Sequence, residues 1–356
     1  MELLPGAVLF SSRESQIRKS EADKRGLVPL ARGAYLRLSH VNRTVKPWEA
    51  RTLITQARIL TLDRVIVGPR PVFTAEAAMV ILGVSTWWSN PDILYRREAI
   101  SQPKTVLPAV TVHACRVPSV NARRTDSAQP PNLVPEATSG VLTAPLGLVA
   151  LDASRTTHPL QAYYDCSMLL RHASRFDRFD PDSRSRAETF RDAWLTFAEQ
   201  LPHSRGVRQA RAVLHVADPG LESPGEAIVA WCLRAILPAH ESISTQHEVR
   251  TSAGQFFIDV ALLRHRVAFE AAGYGKFGGS GDSGRAVGQR LLSRQQALAD
   301  QGWQTINVTY EETRRIESLS GTLRKRLAGL GVATHSPAGR LWSPPTSLLQ
   351  DRTRRF

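Results

Sequence analysis

Three carboxylates carry the chemistry this sequence could do. Asp259 lies in Phe256-Phe257-Ile258-Asp259-Val260, and Glu270 in Val267-Ala268-Phe269-Glu270. The short turn Arg264-His265-Arg266 separates them, so the pattern predicts two antiparallel strands, each carrying one acid. Glu226 lies upstream, on a helix predicted to open at Ser223-Pro224-Gly225. Carboxylates converging from a helix and two strands can hold Mg²⁺, which polarises a phosphate and activates water.

Helix Glu, strand Asp, strand Glu is the order of a PD-(D/E)XK nuclease core. That pattern adds a lysine two residues after the second carboxylate, where it steadies developing negative charge. Here the position is Ala272, and the nearest lysine is Lys276, in a Gly/Ser-rich loop. The candidate catalytic set is therefore Glu226, Asp259, Glu270 and Lys276, with Asp259 and Glu270 as metal ligands. Each acid has a plainer alternative. Ser223-x-x-Glu226 with Pro224 at the first helical position has the form of a capping box. Asp259 can pair with an arginine of the 264–266 turn. Glu270 lies in an apolar strand, and burial of a lone carboxylate is costly, so it must have a polar or ionic partner.

Other motifs fall away. Gly273-Tyr274-Gly275-Lys276-Phe277-Gly278 spells G-x-G-x-x-G, but the glycines run on to Gly281 and residues 291–298 contain no acid. A dinucleotide site needs a helix opening among those glycines and an acid about 20 residues later. The ten histidines show neither H-x-x-x-H nor H-E-x-x-H spacing, and G-x-S-x-G is absent.

The second candidate surface is cationic. Arg13, Gln16, Arg18, Lys19, Lys24 and Arg25 fall along a helix-competent run that Gly26 can stop. Leu27-Val28-Pro29-Leu30 and Ala34-Tyr35-Leu36, joined through Ala31-Arg32-Gly33, read as a small hairpin. A basic helix followed by a hairpin is the C-terminal half of a winged helix-turn-helix, with Arg32 at the wing tip. Arginine and glutamine are also the residue types that read guanine and adenine edges. The whole chain agrees in sign: 46 Lys and Arg against 32 Asp and Glu give +14, which points to a polyanionic partner such as double-stranded DNA.

The elements needed to position these residues make an α/β multi-domain fold of 356 residues. Residues 1–40 form a winged-helix-like unit, and 41–217 a mixed α/β middle domain containing a loop at 116–140. Residues 218–335 form a restriction-endonuclease-like α/β core in the order α-β-β-β-α-β-α, and 336–356 a loosely held basic Pro/Arg-rich tail. Residues 48–62 have helical spacing, Thr74 can cap a helix 75–82, and 107–115 alternate as one strand. Apolar runs near 79–88 and 141–151 are too short to cross a bilayer, and the first ten residues lack signal-peptide features. Three well-separated cysteines (Cys115, Cys166, Cys232) exclude a disulfide framework and fit a cytoplasmic protein.

Taken in order, the motifs resemble the AbiEi-like antitoxin family of type IV toxin–antitoxin systems, in the form with a C-terminal domain similar to very-short-patch-repair endonucleases. The resemblance covers most of residues 12–330. It rests on Lys24-Arg25-Gly26-Leu27-Val28 with Arg32-Gly33-Ala34-Tyr35, on Phe73-Thr74-Ala75-Glu76 through Gly83, and on Tyr163-Tyr164-Asp165-Cys166-Ser167-Met168-Leu169. It rests further on the junction Ala217-Asp218-Pro219-Gly220-Leu221-Glu222-Ser223-Pro224-Gly225-Glu226 and on Gly302-Trp303 through Thr309. Two departures stand out. Glu270-Ala271-Ala272-Gly273 replaces the family's Glu-x-Asp-Gly, and Ser293-Arg294-Gln295-Gln296 keeps the arginine but not the acids. The resemblance implies a DNA-binding regulator that represses its own operon and opposes a nucleotidyltransferase toxin without a stable complex. It also implies a degenerate nuclease fold with no cofactor. The alternatives are an active Mg²⁺-dependent DNA endonuclease, and a protein-interaction module that neutralises a partner toxin.

Overall fold

In the computed structural model, Gly26 at φ +61° ends a six-residue helix and hands the chain directly to a hairpin. The structure describes residues 6–10, 19–31, 33–98, 104–129, 133–201, 203–271, 284–339 and 341–343. Strand β1 (Val8–Phe10) precedes helix α1 (Lys19–Lys24), and the hairpin is β2 (Leu27–Ala31) with β3 (Ala34–Arg37). The strands form an antiparallel sheet in the order β1-β3-β2. Their apolar side is not self-contained. Val28, Leu30 and Leu36 pack with Leu53, Ile54 and Ala57 of helix α2 (Pro47–Val65) and with Val110, Val112 and Val117.

The chain divides into two compact units, Met1–Thr156 with Ala193–Val207, and Thr157–Asp192 with Arg208–Arg352. In the first, β4 (Val72–Thr74) leads into α3 (Ala75–Ile81), followed by β5 (Ile93–Arg96) and β6 (Thr105–Leu107). A separate hairpin, β7 (Val110–Val112) and β8 (Cys115–Val117), comes next, then β9 (Val120–Arg124), β10 (Glu136–Thr138), β11 (Val141–Thr143) and α4 (Leu146–Thr156). The main sheet runs β10-β11-β4-β5-β9-β6 and mixes parallel and antiparallel neighbours. Two readings of the sequence are corrected here. The stretch 107–115 is a strand end plus a hairpin turned at His113, not one strand. The stretch 116–140 is not simply a loop: it contains β9 and β10. Its prolines sit between strands, and β9 is held from both sides by β5 and β6, a pairing that local sequence cannot encode.

Buried polar staples hold this unit. Arg58 of α2 is fully buried and donates to Asn90 Oδ1 (2.8 Å) and to the Pro108 (2.6 Å) and Pro118 (3.0 Å) carbonyls. Thr74 precedes α3 as expected, but its hydroxyl donates to Asp152 (2.7 Å) rather than capping the helix. Arg96 closes the same carboxylate with contacts at 2.7 and 2.8 Å.

In the second unit, helices α5 (Pro159–Ser174), α6 (Ser183–Glu199, shared with the first unit at its end) and α7 (Val207–Val216) precede α8 (Pro224–Ile236). Then follow β12 (Ile243–Thr251), β13 (Gly254–Leu262), β14 (Val267–Ala271), α9 (Gly284–Asp300), β15 (Gln304–Val308), α10 (Tyr310–Arg314) and α11 (Ile316–Gly329). The sheet order is β12-β13-β14-β15, with the first two pairings antiparallel and β14-β15 parallel. Ile258, Ala261 and Ala268 pack against Leu298 of α9 and Trp303. The described part of the tail is anchored rather than loose. Ala338 N donates to the Ala235 carbonyl (2.9 Å), and Trp342 stacks on Trp231 with centroids 4.6 Å apart. Among the described residues no helix is long and apolar enough to cross a membrane.

Candidate functional site

The junction 217–226 fixes helix α8 against strand β12. Asp218 Oδ1 accepts from Gly220 N (2.9 Å) and from Thr245 Oγ1 (2.7 Å), while Asp218 N donates to Ser167 (3.0 Å). Gly220 is required at this close approach, because a Cβ there would lie 2.0 Å from Thr245 Oγ1. The chain then enters α8 at Ser223, whose hydroxyl accepts from Glu226 N (3.2 Å).

Glu226 is buried and folds back on its own helix start. Its Oε1 accepts from the Ser223 hydroxyl (2.9 Å) and its Oε2 from Glu222 N (2.8 Å). The capping form read from the sequence is therefore realised. Burial, followed by the nearby Asp259 charge, pushes the Glu226 carboxyl up to about 8, against the pull of those two hydrogen bonds. Asp259, on β13, is also buried and accepts from Ala271 N on the adjacent strand (3.2 Å). Arg264 and Arg266 of the turn lie elsewhere: Arg264 is 3.8 Å from Glu241, and Arg266 donates to the Gln301 carbonyl.

Glu270 lies on β14 one residue beyond the laddered pair Val260–Phe269. Arg294, reaching from α9, donates to Glu270 Oε1 at 2.7 Å and to the Phe257 carbonyl at 2.6 Å. The fold thus gathers all three candidate carboxylates into one region of the second unit. Glu226 adds to the electrostatics of Asp259, and Glu270 is engaged by a guanidinium.

As it stands, this donor set does not fit a divalent cation. Mg²⁺ is held through ionised carboxylates. Here Glu226 is held towards its neutral form and the charge of Glu270 is balanced by Arg294. Among the described residues, no three His, Cys, Asp or Glu side chains are grouped so as to hold a metal ion.

Lys276 lies outside the described residues, as does all of 272–283 and with it the glycine-rich run. So do Arg13, Gln16, Arg18 and Arg32 of the cationic surface. Lys19 opens α1. Lys24 and Arg25 are exposed at its end, where Arg25 is 2.5 Å from Glu21, one turn back. Arg294 as the partner of Glu270 was signalled only by the retained arginine between polar residues. Searches against protein families, curated proteins and solved structures returned no match to this chain.

Proposed function

We propose that this protein is a DNA-binding transcriptional regulator of the AbiEi-like antitoxin type. It represses its own operon and opposes a nucleotidyltransferase toxin without a stable complex, in the cytoplasm. Its N-terminal segment serves as a winged helix-turn-helix. Its C-terminal α-β-β-β-α-β arrangement serves as a degenerate restriction-endonuclease-like domain.

The observation that carries the reading is the order of elements in the first forty residues. A short helix with exposed Lys24 and Arg25 stops at Gly26 and passes directly into a two-stranded wing, and β1 closes the sheet against the wing's second strand. A wing of this kind sets cationic side chains beside a groove while its sheet backs onto a core. The Glu270–Arg294 ion pair supports a binding rather than a cutting role for the C-terminal domain, because it satisfies a carboxylate that metal chemistry would need.

The test is binding to the DNA upstream of the protein's own coding sequence, with the variants Arg18→Ala and Arg32→Ala. The reading predicts that each variant weakens binding and lowers its salt dependence by about one phosphate contact. Unchanged affinity in both would remove the N-terminal segment from the interface. Plasmid incubated with Mg²⁺ or Mn²⁺ is expected to show no nicking above that of Asp259→Ala. Nicking that this variant abolishes would establish an endonuclease instead.

A further inference from the structure

A cavity of about 170 Å³ lies between the α5–α6 connection and the outer strands of the second unit's sheet. It is smaller than the roughly 300–1,000 Å³ of drug-sized ligand sites. Its walls combine flat apolar and guanidinium surfaces. Phe176 carries Arg184 at 5.3 Å, and Phe257 carries Arg178 at 5.4 Å. The Phe257 ring is met edge-on at 5.1 Å by Phe179, which is 67% exposed. Exposure of a phenylalanine beside a cavity offers a stacking surface for a planar group.

The polar part of the lining has a surplus of donors. Its carboxylates already accept from neighbours: Asp177 from Phe179 N (3.0 Å), Asp180 from Arg186 (2.7 Å), and Glu248 from Arg250 (2.5 Å). Gln246 stands apart. It is only 5% exposed, its Oε1 accepts from Arg178 (2.7 Å), and its Nε2 is buried with no hydrogen-bond partner. Arg178 thereby fixes which end of the amide is the donor. An occupant must be planar, small and rich in acceptors on one edge.

We infer that this cavity binds an unstacked nucleobase, guanine by preference, with its face on the Phe179–Phe257 pair and its acceptor edge towards Gln246 and Arg178. Guanine presents two adjacent acceptors, O6 and N7, where adenine alternates acceptor and donor. A base can come from a free nucleotide or from a nucleotide extruded from a duplex. The inference does not depend on the N-terminal segment or on operator recognition.

Calorimetric titration of the full-length protein with guanosine, adenosine and 7-deazaguanosine tests it. Guanosine is expected to bind at least about tenfold tighter than the other two, the range of one good base-edge contact. Gln246→Leu should remove that preference. Phe179→Ala, at an exposed position that leaves the fold intact, should weaken binding of every nucleoside. A duplex carrying 2-aminopurine beside one guanine separates the sources. A fluorescence rise on protein binding assigns an extruded base, and guanosine binding without a rise assigns a free nucleoside or nucleotide. Equal binding of guanosine and adenosine overturns the inference, and so does guanosine binding unchanged in both variants. Absence of both nucleoside binding and a fluorescence rise also overturns it. Operator affinity is measured separately, so failure here leaves the regulator reading standing and the reverse holds equally.

Discussion

Arg294 is the side chain on which the C-terminal carboxylates turn. It joins Glu270 on β14 and the Phe257 carbonyl on β13, so it ties α9 to two strands at once. Arg294→Met leaves a largely buried carboxylate and a carbonyl without their donor. The expected loss is about 1–3 kcal/mol of stability, read as a lowered denaturant midpoint. Glu270→Gln in the same background should recover part of it, and a single variant as stable as the native chain would contradict the assignment. Glu226 gives a pH signature. Its folded-state pKa, about 8, lies above the unfolded value of 4.5, so the folded state holds its proton longer. The associated stability is complete below the unfolded value and is lost progressively as pH rises to about 8. Glu226→Gln removes this dependence. Its melting temperature relative to the native chain should rise steadily from acid to pH 8, and a constant difference would show that Glu226 is not held neutral.

At the scale of elements, the close approach of the 217–226 junction to β12 makes a sharp prediction. Gly220→Ala brings a Cβ onto Thr245 Oγ1 and disturbs the Asp218 hydrogen bonds. A cost of about 1–3 kcal/mol is expected from overpacking, and an unchanged melting temperature would refute the fit. What the sequence made legible here was local. Ser223-Pro224 announced α8, Gly26 ended α1, and the alternating runs around Asp259 and Glu270 gave β13 and β14. What it hid was non-local. Strands β9 and β10 pass through a Pro/Ser/Arg-rich stretch and depend on partners 20 or more residues away. Arg58 reads as a surface residue of an amphipathic helix until Pro108 and Pro118 fold over it. The cavity of Gln246 and Phe257 joins a polar connection to two strands more than sixty residues further on, a proximity that spacing alone does not carry. Trp342 lies in a segment whose composition suggests a loose tail, and one stacking partner, Trp231, holds it.

For the whole molecule, the excess of 14 positive charges sets the physical problem of recognition. Such a protein attracts any duplex through counterion release, so affinity alone says little, and both specific and non-specific binding fall steeply as salt rises. A regulator must add base contacts to that background. The decisive measurement is therefore a ratio: affinity for the protein's own upstream DNA against a composition-matched random duplex, followed by fluorescence anisotropy from about 50 to 200 mM salt. The account predicts a preference on the order of a thousandfold or more that persists while both affinities fall. Equal affinity for the two duplexes across that range would contradict it.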